Sequence, residues 1–293
     1  MNSTTSARER VRALMPVEGD LAFRRRSETI VEWIDAKDGD VTLDCGCGYG
    51  FTLRALTALT GGRFVGFDFQ QIRLDDIQSK FSDLSRIELI RGSAMELPFA
   101  GASFDHIVSS EVLEHLTDDR AAAHEFFRVL KPGGNLVITV PSGNFPFTWD
   151  PPNWILKRLT AGRIQLKGER PWSGIWYGHQ RLYSPRGLRS LLTDAGFAIV
   201  EERGLAQVTP PFAHLLLYGV GKPLLQSGIL PKRLASQAGR ESSAPKAPSG
   251  VLKLVMRVLN AIDRPNDRPS ASKPDQASVA LAIHARRPMV EGL

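Results

Sequence analysis

Cysteine is scarce in this sequence. The chain has two cysteines in 293 residues, Cys45 and Cys47, so no second pair is present to complete a zinc site. Their spacing disfavours a disulfide between them. We therefore expect both to be small packing residues of a protein from a reducing compartment.

The sequence also lacks a signal peptide and a long unbroken apolar run. Residues 1–20 contain no apolar core of the kind that a secretory signal needs. The longest apolar stretch, 212–230, is interrupted by two glycines, Lys222 and Pro223, so it is too broken to span a bilayer. These absences predict a cytoplasmic location.

Charge is distributed unevenly. The net charge is +6, and residues 221–293 contain twelve Lys/Arg and five Asp/Glu, a balance of +7 that leaves the rest near neutral. A basic segment indicates either a solvated linker or a contact with a polyanion. The polyanion would be a nucleic acid or the anionic inner face of a membrane. Within this segment, 251–262 predicts an amphipathic helix with Lys253 and Arg257 on one face, which suits a membrane surface or the protein's own core. Two low-complexity stretches resemble linkers: 235–250 and 263–276.

Short apolar runs alternate with helix-length segments between residues 41 and 140. The runs are rich in Val, Ile, Leu and Phe and are bounded by Gly, Asp or Pro, as buried parallel strands are. This rhythm predicts an α/β fold with a parallel sheet covered on both faces. The predicted strands are 41–44, 63–68, 87–91, 104–109 and 135–140, and the predicted helices are 51–60, 70–81 and 118–130.

Beyond residue 140 the rhythm changes. The Lys-Pro-Gly-Gly segment 131–134 predicts the end of a helix and a turn into the fifth strand. Residues 141–180 are rich in Pro, Gly and Trp and show no clean period. A helix at 184–195 has Ser184 as its predicted N-cap. Two further strands are predicted, 197–202 and 278–286.

A glycine-rich turn follows the first predicted strand. Gly46, Gly48 and Gly50 have the spacing G-x-G-x-G, which lets the backbone turn tightly and approach a ligand closely. A dinucleotide fingerprint requires G-x-G-x-x-G, and residue 51 is Phe, so pyrophosphate binding is disfavoured. Asp68 ends the next strand, where an acidic side chain accepts hydrogen bonds from ribose hydroxyls. The alternative role of Asp68 is the N-cap of the following helix.

With LDCGCGYG at 43–50, the sequence resembles the class I methyltransferases that use S-adenosylmethionine, particularly their methyltransferase-11/23-like branch. Further matching segments, in the family's order, are GFDF, GSAMELPF, FDHIVSSEVLEHL, LKPGGNLVITVPS and HQRLYSPRGLRSLLTDAGF. The resemblance implies a Rossmann-like sheet with a final antiparallel strand and insertions after the fifth and sixth strands. The expected organisation is a helical segment (1–40), a methyltransferase core (41–204 with 278–287) including an acceptor-side insertion (141–180), and a basic, partly disordered insertion (205–277).

The resemblance also implies cofactor roles for individual residues. Asp44 and the three glycines would hold the methionine part of S-adenosylmethionine, and Asp68 would meet the ribose. Ser93 stands where the family usually has Asp, and a hydroxyl lacks the charge-assisted bond to the adenine amino group, so we expect weaker cofactor affinity. The full implied set is Asp44, Gly46, Gly48, Gly50, Asp68, Phe69, Ser93, Ala94, Met95 and Ser110.

Three residues are candidates for catalysis: Glu111, His115 and His179. An oxygen acceptor must lose a proton, and either histidine is a candidate base, with a structural role as the alternative. Glu111 follows the fourth strand and is expected beside the cofactor. Glu111, Glu114 and His115 form an E-x-x-E-H pattern at the head of a predicted helix, where they would share a face.

The E-x-x-E-H pattern also resembles the metal-binding segment of ubiquinone-type O-methyltransferases and of small-RNA 2′-O-methyltransferases. The latter add a later histidine, for which His179 is the candidate. One expectation is a hard divalent ion such as Mg²⁺ held by Glu111, Glu114, His115 and His179. The favoured expectation is a metal-free helix start, with His115 as a base or a structural residue.

The aromatic residues of 141–180 follow the fifth strand, on the side where this family binds acceptors. They predict an apolar acceptor pocket or lid, or an ordinary small core. Because the core is nearly neutral, a lipid, isoprenoid or glycolipid-like small molecule is favoured over nucleic acid. The alternatives are methylation of RNA or protein, and cofactor binding without catalysis. Asp150-Pro151-Pro152-Asn153 lies after the wrong strand for a DNA amino-methylation box, so we interpret it as a Pro-rich loop.

Overall fold

The computed structural model describes residues 6–81, 83–168, 171–221, 227, 250–268 and 272–289. It contains a seven-stranded sheet in the order β3-β2-β1-β4-β5-β7-β6. The strands are β1 Val41–Cys45, β2 Arg63–Asp68, β3 Ile87–Arg91, β4 Phe104–Ser110, β5 Leu130–Pro141, β6 Ala198–Leu205 and β7 Ala280–Arg286. The first five pair in parallel, and β7 runs antiparallel between β5 and β6, as the resemblance implied.

Helices cover both faces of this sheet. They are α1 Ala7–Leu14, α2 Leu21–Trp33, α3 Phe51–Leu59, α4 Gln71–Lys80, α5 Asp119–Val129, α6 Pro151–Leu159, α7 Pro185–Asp194 and α8 Gly250–Asp263. Apolar side chains from the two faces of the strands enter two separate buried clusters, one of which includes Leu43 and Ile107 and the other Val108 and Val137. A strand that is buried on both faces reads as a continuous apolar run, which is why the strands were visible in the sequence.

The predicted helix end and turn at residues 131–134 are confirmed, although they fall inside the bounds of β5. Strand β5 begins at Leu130, directly after α5, but its pairing with β4 is interrupted across the Lys-Pro-Gly-Gly segment and resumes at Asn135. Leu130 pairs with Phe104, and the Gly133 amide donates to the Arg287 carbonyl at 2.8 Å. These partners come from distant parts of the chain, so the local sequence signal for a turn did not reveal them.

The segment 150–153, which we interpreted as a loop, is the start of helix α6. The Asp150 carboxylate accepts from the Asn153 amide at 3.3 Å, and Pro151 occupies the first helical turn. An aspartate N-cap followed by proline is a common helix start, because proline there has no hydrogen bond to lose. A helix therefore stands on the acceptor side of the sheet where a loop was predicted.

Helix α8, close to the predicted 251–262, docks onto the protein's own core. The Asp263 carboxylate accepts from Arg24 at 2.5 Å and from Arg25 at 2.7 Å, both on α2, and Met256 is buried. Most of the low-complexity stretch 235–250 lies outside the described residues. Among the residues that are described, none of the helices is long and apolar enough to cross a membrane.

Candidate active site

The glycine-rich turn lies at the carboxyl end of β1. Gly46, Gly48 and Gly50 all have positive φ angles. The Gly46 amide donates to the Phe67 carbonyl at 2.7 Å, which holds the turn against β2. A Cβ atom at Gly46 would lie 2.2 Å from Cγ2 of Val112, so glycine is required there by both conformation and space.

Asp44 presents an unpartnered carboxylate beside this turn. Its side chain is 2% exposed, and Oδ2 has no hydrogen-bond partner. Burial, together with the nearby charge of Asp68, raises the pKa of Asp44 to about 7. A buried carboxylate without a partner is costly, and a cationic group of a ligand would stabilise its ionised form. The ammonium group of S-adenosylmethionine fits that requirement.

Asp68 lies at the end of β2 and is not the N-cap of α4, because that position is occupied by Gln70. One carboxylate oxygen accepts from the Gly48 amide at 3.0 Å, and the other accepts from the Gln70 amide at 2.9 Å just before α4. The carboxylate therefore joins the glycine-rich turn to the start of the next helix. Phe69 beside it is 69% exposed, so its ring is available to a planar ligand group.

The remaining predicted cofactor residues lie at the same sheet edge. The Gly92 amide donates to the Asp68 carbonyl at 3.2 Å, which places the segment after β3 beside β2. There the Ser93 hydroxyl accepts from the Met95 amide at 3.3 Å, so the hydroxyl stabilises its own turn. Ser110 ends β4, and its hydroxyl lies 2.8 Å from that of Thr139 on β5.

Glu111 is not part of a helix, so the predicted shared helical face is wrong. Its φ angle is +57°, a short 3-10 turn Leu113–His115 follows, and α5 begins only at Asp119. The Glu111 carboxylate is paired with Arg26 of α2 at 3.3 Å. Burial raises the pKa of Glu111, and the charge of Arg26 opposes this effect.

Glu114, His115 and His179 form a compact cluster next to this turn. Their potential metal-ligating atoms all lie within 4.8 Å of one another, and Glu111 is not a member. Glu114 is 0% exposed, and neither carboxylate oxygen has a hydrogen-bond partner. The Nε2 atoms of His115 and His179 each lie 3.9 Å from its Oε1 atom.

Backbone carbonyls orient both imidazoles of the cluster. Nδ1 of His115 lies 2.7 Å from the Gly178 carbonyl, and Nδ1 of His179 lies 2.6 Å from the Ile175 carbonyl. A carbonyl can only accept, so each neutral ring carries its proton on Nδ1 and leaves the Nε2 lone pair toward Glu114. Two lone pairs and an unpartnered carboxylate therefore face the same small volume.

Burial perturbs the proton affinities of this cluster. It raises the pKa of Glu114 well above its usual value, with a further contribution from the charge of Glu111. It lowers the pKa of His179 to about 4, helped by the neighbouring His115. His179 is therefore neutral at physiological pH. Such an arrangement can accept a proton or hold a divalent ion.

The chain brings His179 to the cluster through hydrogen bonds that sequence alone does not show. The Gln180 amide donates to the Glu114 carbonyl at 2.9 Å, and its side chain donates to the His115 carbonyl at 2.9 Å.

Arg26 is the site residue that the sequence analysis did not identify. It is the last of three consecutive arginines on α2, and nothing local distinguishes it from the other two.

Comparisons with known proteins identify the family of this chain. Residues 43–138 match the family model described as a methyltransferase domain. The chain is 32% identical over 207 residues to the demethylmenaquinone methyltransferase of Staphylococcus aureus, covering 67% of this chain and 82% of that protein. It is 31% identical over 180 residues to an uncharacterized 37.1 kDa protein in transposon TN4556 of Streptomyces fradiae, covering 61% of this chain and 49%, or about half, of that protein.

A solved structure with a similar fold is geranyl diphosphate C-methyltransferase from Streptomyces coelicolor A3(2). Its TM-score is 0.53 at 13% identity, covering 89% of this chain and 76% of that chain. The sheet order is that of an α/β methyltransferase. The chain belongs to the class I S-adenosylmethionine-dependent methyltransferases, and its methyl donor is S-adenosylmethionine.

Proposed function

We propose that this enzyme transfers the methyl group of S-adenosylmethionine to an oxygen atom of a small apolar acceptor. The observation that carries the proposal is the cluster of Glu114, His115 and His179 beside the cofactor-binding edge. A sulfonium donor needs little activation, but a hydroxyl acceptor must lose its proton. The lone pairs of two oriented imidazoles supply a destination for that proton.

His115 is the better placed of the two imidazoles to act as the base. Its side chain is 45% exposed, compared with 17% for His179, so an acceptor can reach it. The low pKa of His179 makes it a weak proton acceptor, and we assign it to positioning. Glu111 remains a candidate for catalysis because it directly follows β4, and Arg26 forms an ion pair with its carboxylate.

Aromatic residues after β5 support an apolar acceptor. Phe145 and Trp149 are buried in a small cluster on this side of the sheet, and Trp154 and Trp176 pack against it with part of their surface exposed. The buried pair matches the small-core interpretation, and the partly exposed pair offers apolar surface to an acceptor. The Staphylococcus relative is named for a quinone substrate, which is an acceptor of this chemical class.

The reaction depends mainly on alignment. The enzyme must hold the acceptor oxygen in line with the methyl group, exclude water and remove one proton. We assign the cofactor to the glycine-rich turn, Asp44 and Asp68, and the proton to His115. Incubation with methyl-labelled S-adenosylmethionine and a panel of phenols and quinols tests this proposal. Label in the organic extract supports it, and label confined to RNA or protein, or no transfer, contradicts it.

The cluster also fits a divalent ion, and we include that possibility in the proposal. Two imidazole nitrogens and one carboxylate suit Zn²⁺ or Mn²⁺ better than the Mg²⁺ that the sequence pattern suggested. The buried, unpartnered Glu114 is the feature that favours a cation there. A bound ion would polarise the acceptor oxygen and lower its pKa.

Chelation tests the role of an ion. If one is required, excess chelator should abolish turnover, and Zn²⁺ or Mn²⁺ should restore it better than Mg²⁺. Glu114→Gln should weaken ion binding, measured by calorimetry, by at least about tenfold, because it removes the only anionic ligand of the cluster. Full turnover in excess chelator would eliminate the ion and leave His115 as the base.

The region 205–277 remains a proposed membrane-contact insertion within the core 41–204 and 278–287. On α8, three apolar side chains stay exposed after the helix has docked on the core: Leu254, Val255 and Val258. Lys253 and Arg257 lie among them and are also exposed. Exposed apolar and cationic side chains on one helix suit an anionic lipid surface.

A further inference from the structure

A second surface combines apolar and cationic side chains, and it lies nearer the active site. It comprises residues 154–168, the last turns of α6 and the loop after it, and we call it the α6 face. Four of its large apolar residues are exposed, among them Leu159 at 79% and Ile164 at 56%. The other two are Ile155 and Leu166. Isolated exposed apolar residues are ordinary, but four within twelve positions concentrate apolar surface in one segment.

The charge of the α6 face has one sign. Lys157, Arg158, Arg163 and Lys167 are all exposed, and residues 151–168 contain no Asp or Glu. In the part of the chain that the structure describes, none of these four cations pairs with a carboxylate. Two of them lie over indole rings instead, Arg158 over Trp154 at 3.3 Å and Lys167 over Trp176 at 4.5 Å.

The α6 face is continuous with the catalytic cluster. Nζ of Lys167 donates to the Gln180 carbonyl at 3.3 Å, and the Gly178 amide donates to the Gly168 carbonyl at 3.2 Å. Gln180 is the residue that bonds Glu114 and His115. Gln180 therefore links the C-terminal end of the α6 face to the groups that we assign to proton transfer.

We propose that the α6 face docks on an anionic lipid bilayer and that the apolar acceptor reaches His115 from that bilayer. The second half of this statement rests on the proposed function, whereas the docking does not. Cations held among exposed Leu and Ile side chains match the headgroup boundary, where lysine and arginine meet lipid phosphates and the apolar side chains enter the acyl region. A nucleic acid would pair the cations but leave the four apolar side chains in water.

Co-sedimentation with vesicles tests the docking. The full-length enzyme should bind vesicles of phosphatidylcholine with phosphatidylglycerol, bind phosphatidylcholine alone weakly, and lose binding as salt is raised. Leu159→Asp combined with Ile164→Asp should reduce binding to the anionic vesicles by about tenfold or more, since it removes apolar insertion and adds negative charge. Arg158→Glu combined with Arg163→Glu should have an effect of the same order.

Matched controls separate docking from folding and from catalysis. Val200→Asp on β6 and Arg63→Glu at the start of β2 change exposed residues elsewhere and should bind vesicles like the unaltered enzyme. The α6-face variants should methylate an acceptor supplied in detergent at the normal rate and lose activity only when it is supplied in vesicles. Failure of transfer in detergent by the unaltered enzyme would count against the proposed function, not against the docking.

Two results would overturn the α6-face proposal. One is equal, negligible sedimentation of the unaltered enzyme with neutral and anionic vesicles. The other is normal binding by both α6-face variants, particularly if Leu254→Asp combined with Val258→Asp on α8 abolishes it. That second pattern would assign the membrane contact to the insertion.

Discussion

Replacing His115 by alanine should reduce kcat by about 10²- to 10⁴-fold, which is the usual contribution of a positioned acid or base. The reason is geometric. Nδ1 of His115 is engaged by the Gly178 carbonyl, so its Nε2 lone pair is available for the acceptor proton. The affinity for S-adenosylmethionine should change little, because the groups to which we assign its main contacts, Asp44, the glycine-rich turn and Asp68, lie on β1, β2 and the turn after β1.

His124→Ala is the matched control. That histidine is exposed on α5 and takes no part in the cluster, so its loss should leave kcat within about twofold, as for most surface substitutions. The two measurements are the steady-state rate with saturating cofactor and the calorimetric Kd for S-adenosylmethionine. An unchanged kcat for His115→Ala would remove it from the mechanism. An equal loss of cofactor affinity would assign it a structural role instead.

Replacing Asp68 by alanine should weaken S-adenosylmethionine binding by about 10- to 150-fold, which corresponds to roughly 1.5–3 kcal/mol for hydrogen bonds to a charged group. The carboxylate accepts a hydrogen bond from the Gly48 amide. We propose that it also accepts hydrogen bonds from the ribose. Calorimetry with S-adenosylmethionine and S-adenosylhomocysteine measures the effect. NADH should give no signal with the unaltered enzyme.

Asp75→Ala provides the comparison for Asp68→Ala. Asp75 lies on α4, close to Asp68 along the chain, and its side chain is exposed. Among the contacts described, its carboxylate accepts a hydrogen bond only from Gln71 of the same helix. Its removal should leave cofactor affinity nearly unchanged. If Asp68→Ala bound the cofactor as tightly as Asp75→Ala, the carboxylate would serve only to hold the glycine-rich turn to the segment before α4.

The sheet and its cofactor edge were predictable because their signals are local. Strands such as 63–68 are buried on both faces and therefore appear as apolar runs ended by Gly or Asp. The turn at Gly46, Gly48 and Gly50 needs positive φ angles, which glycine adopts without strain. The seven-stranded sheet confirms the predicted strands, and the φ angles of the three glycines confirm the turn; the cofactor roles of these residues stay predictions.

The acceptor side was harder to predict because its geometry comes from distant contacts. The prediction of a helix at E-x-x-E-H placed Glu111 in one ligand cluster with Glu114. The positive φ of Glu111 and its ion pair with Arg26 instead hold its carboxylate outside that cluster. His179 reaches Glu114 through the backbone of Gln180, a contact across more than sixty residues. No local periodicity encodes such a contact, so the sequence offered the residues but not their arrangement.

The atom that receives the methyl group distinguishes the proposed O-methylation from methylation of carbon. The enzyme is incubated with S-adenosylmethionine carrying a ¹³C methyl group and with an apolar acceptor that bears both a hydroxyl and an open ring carbon. Nuclear magnetic resonance of the extracted product then shows whether the labelled methyl is bonded to oxygen or to carbon. We predict a methyl ether whose formation is lost in His115→Ala and retained in His124→Ala. A carbon-bonded methyl, or label found only in RNA or protein, would contradict it.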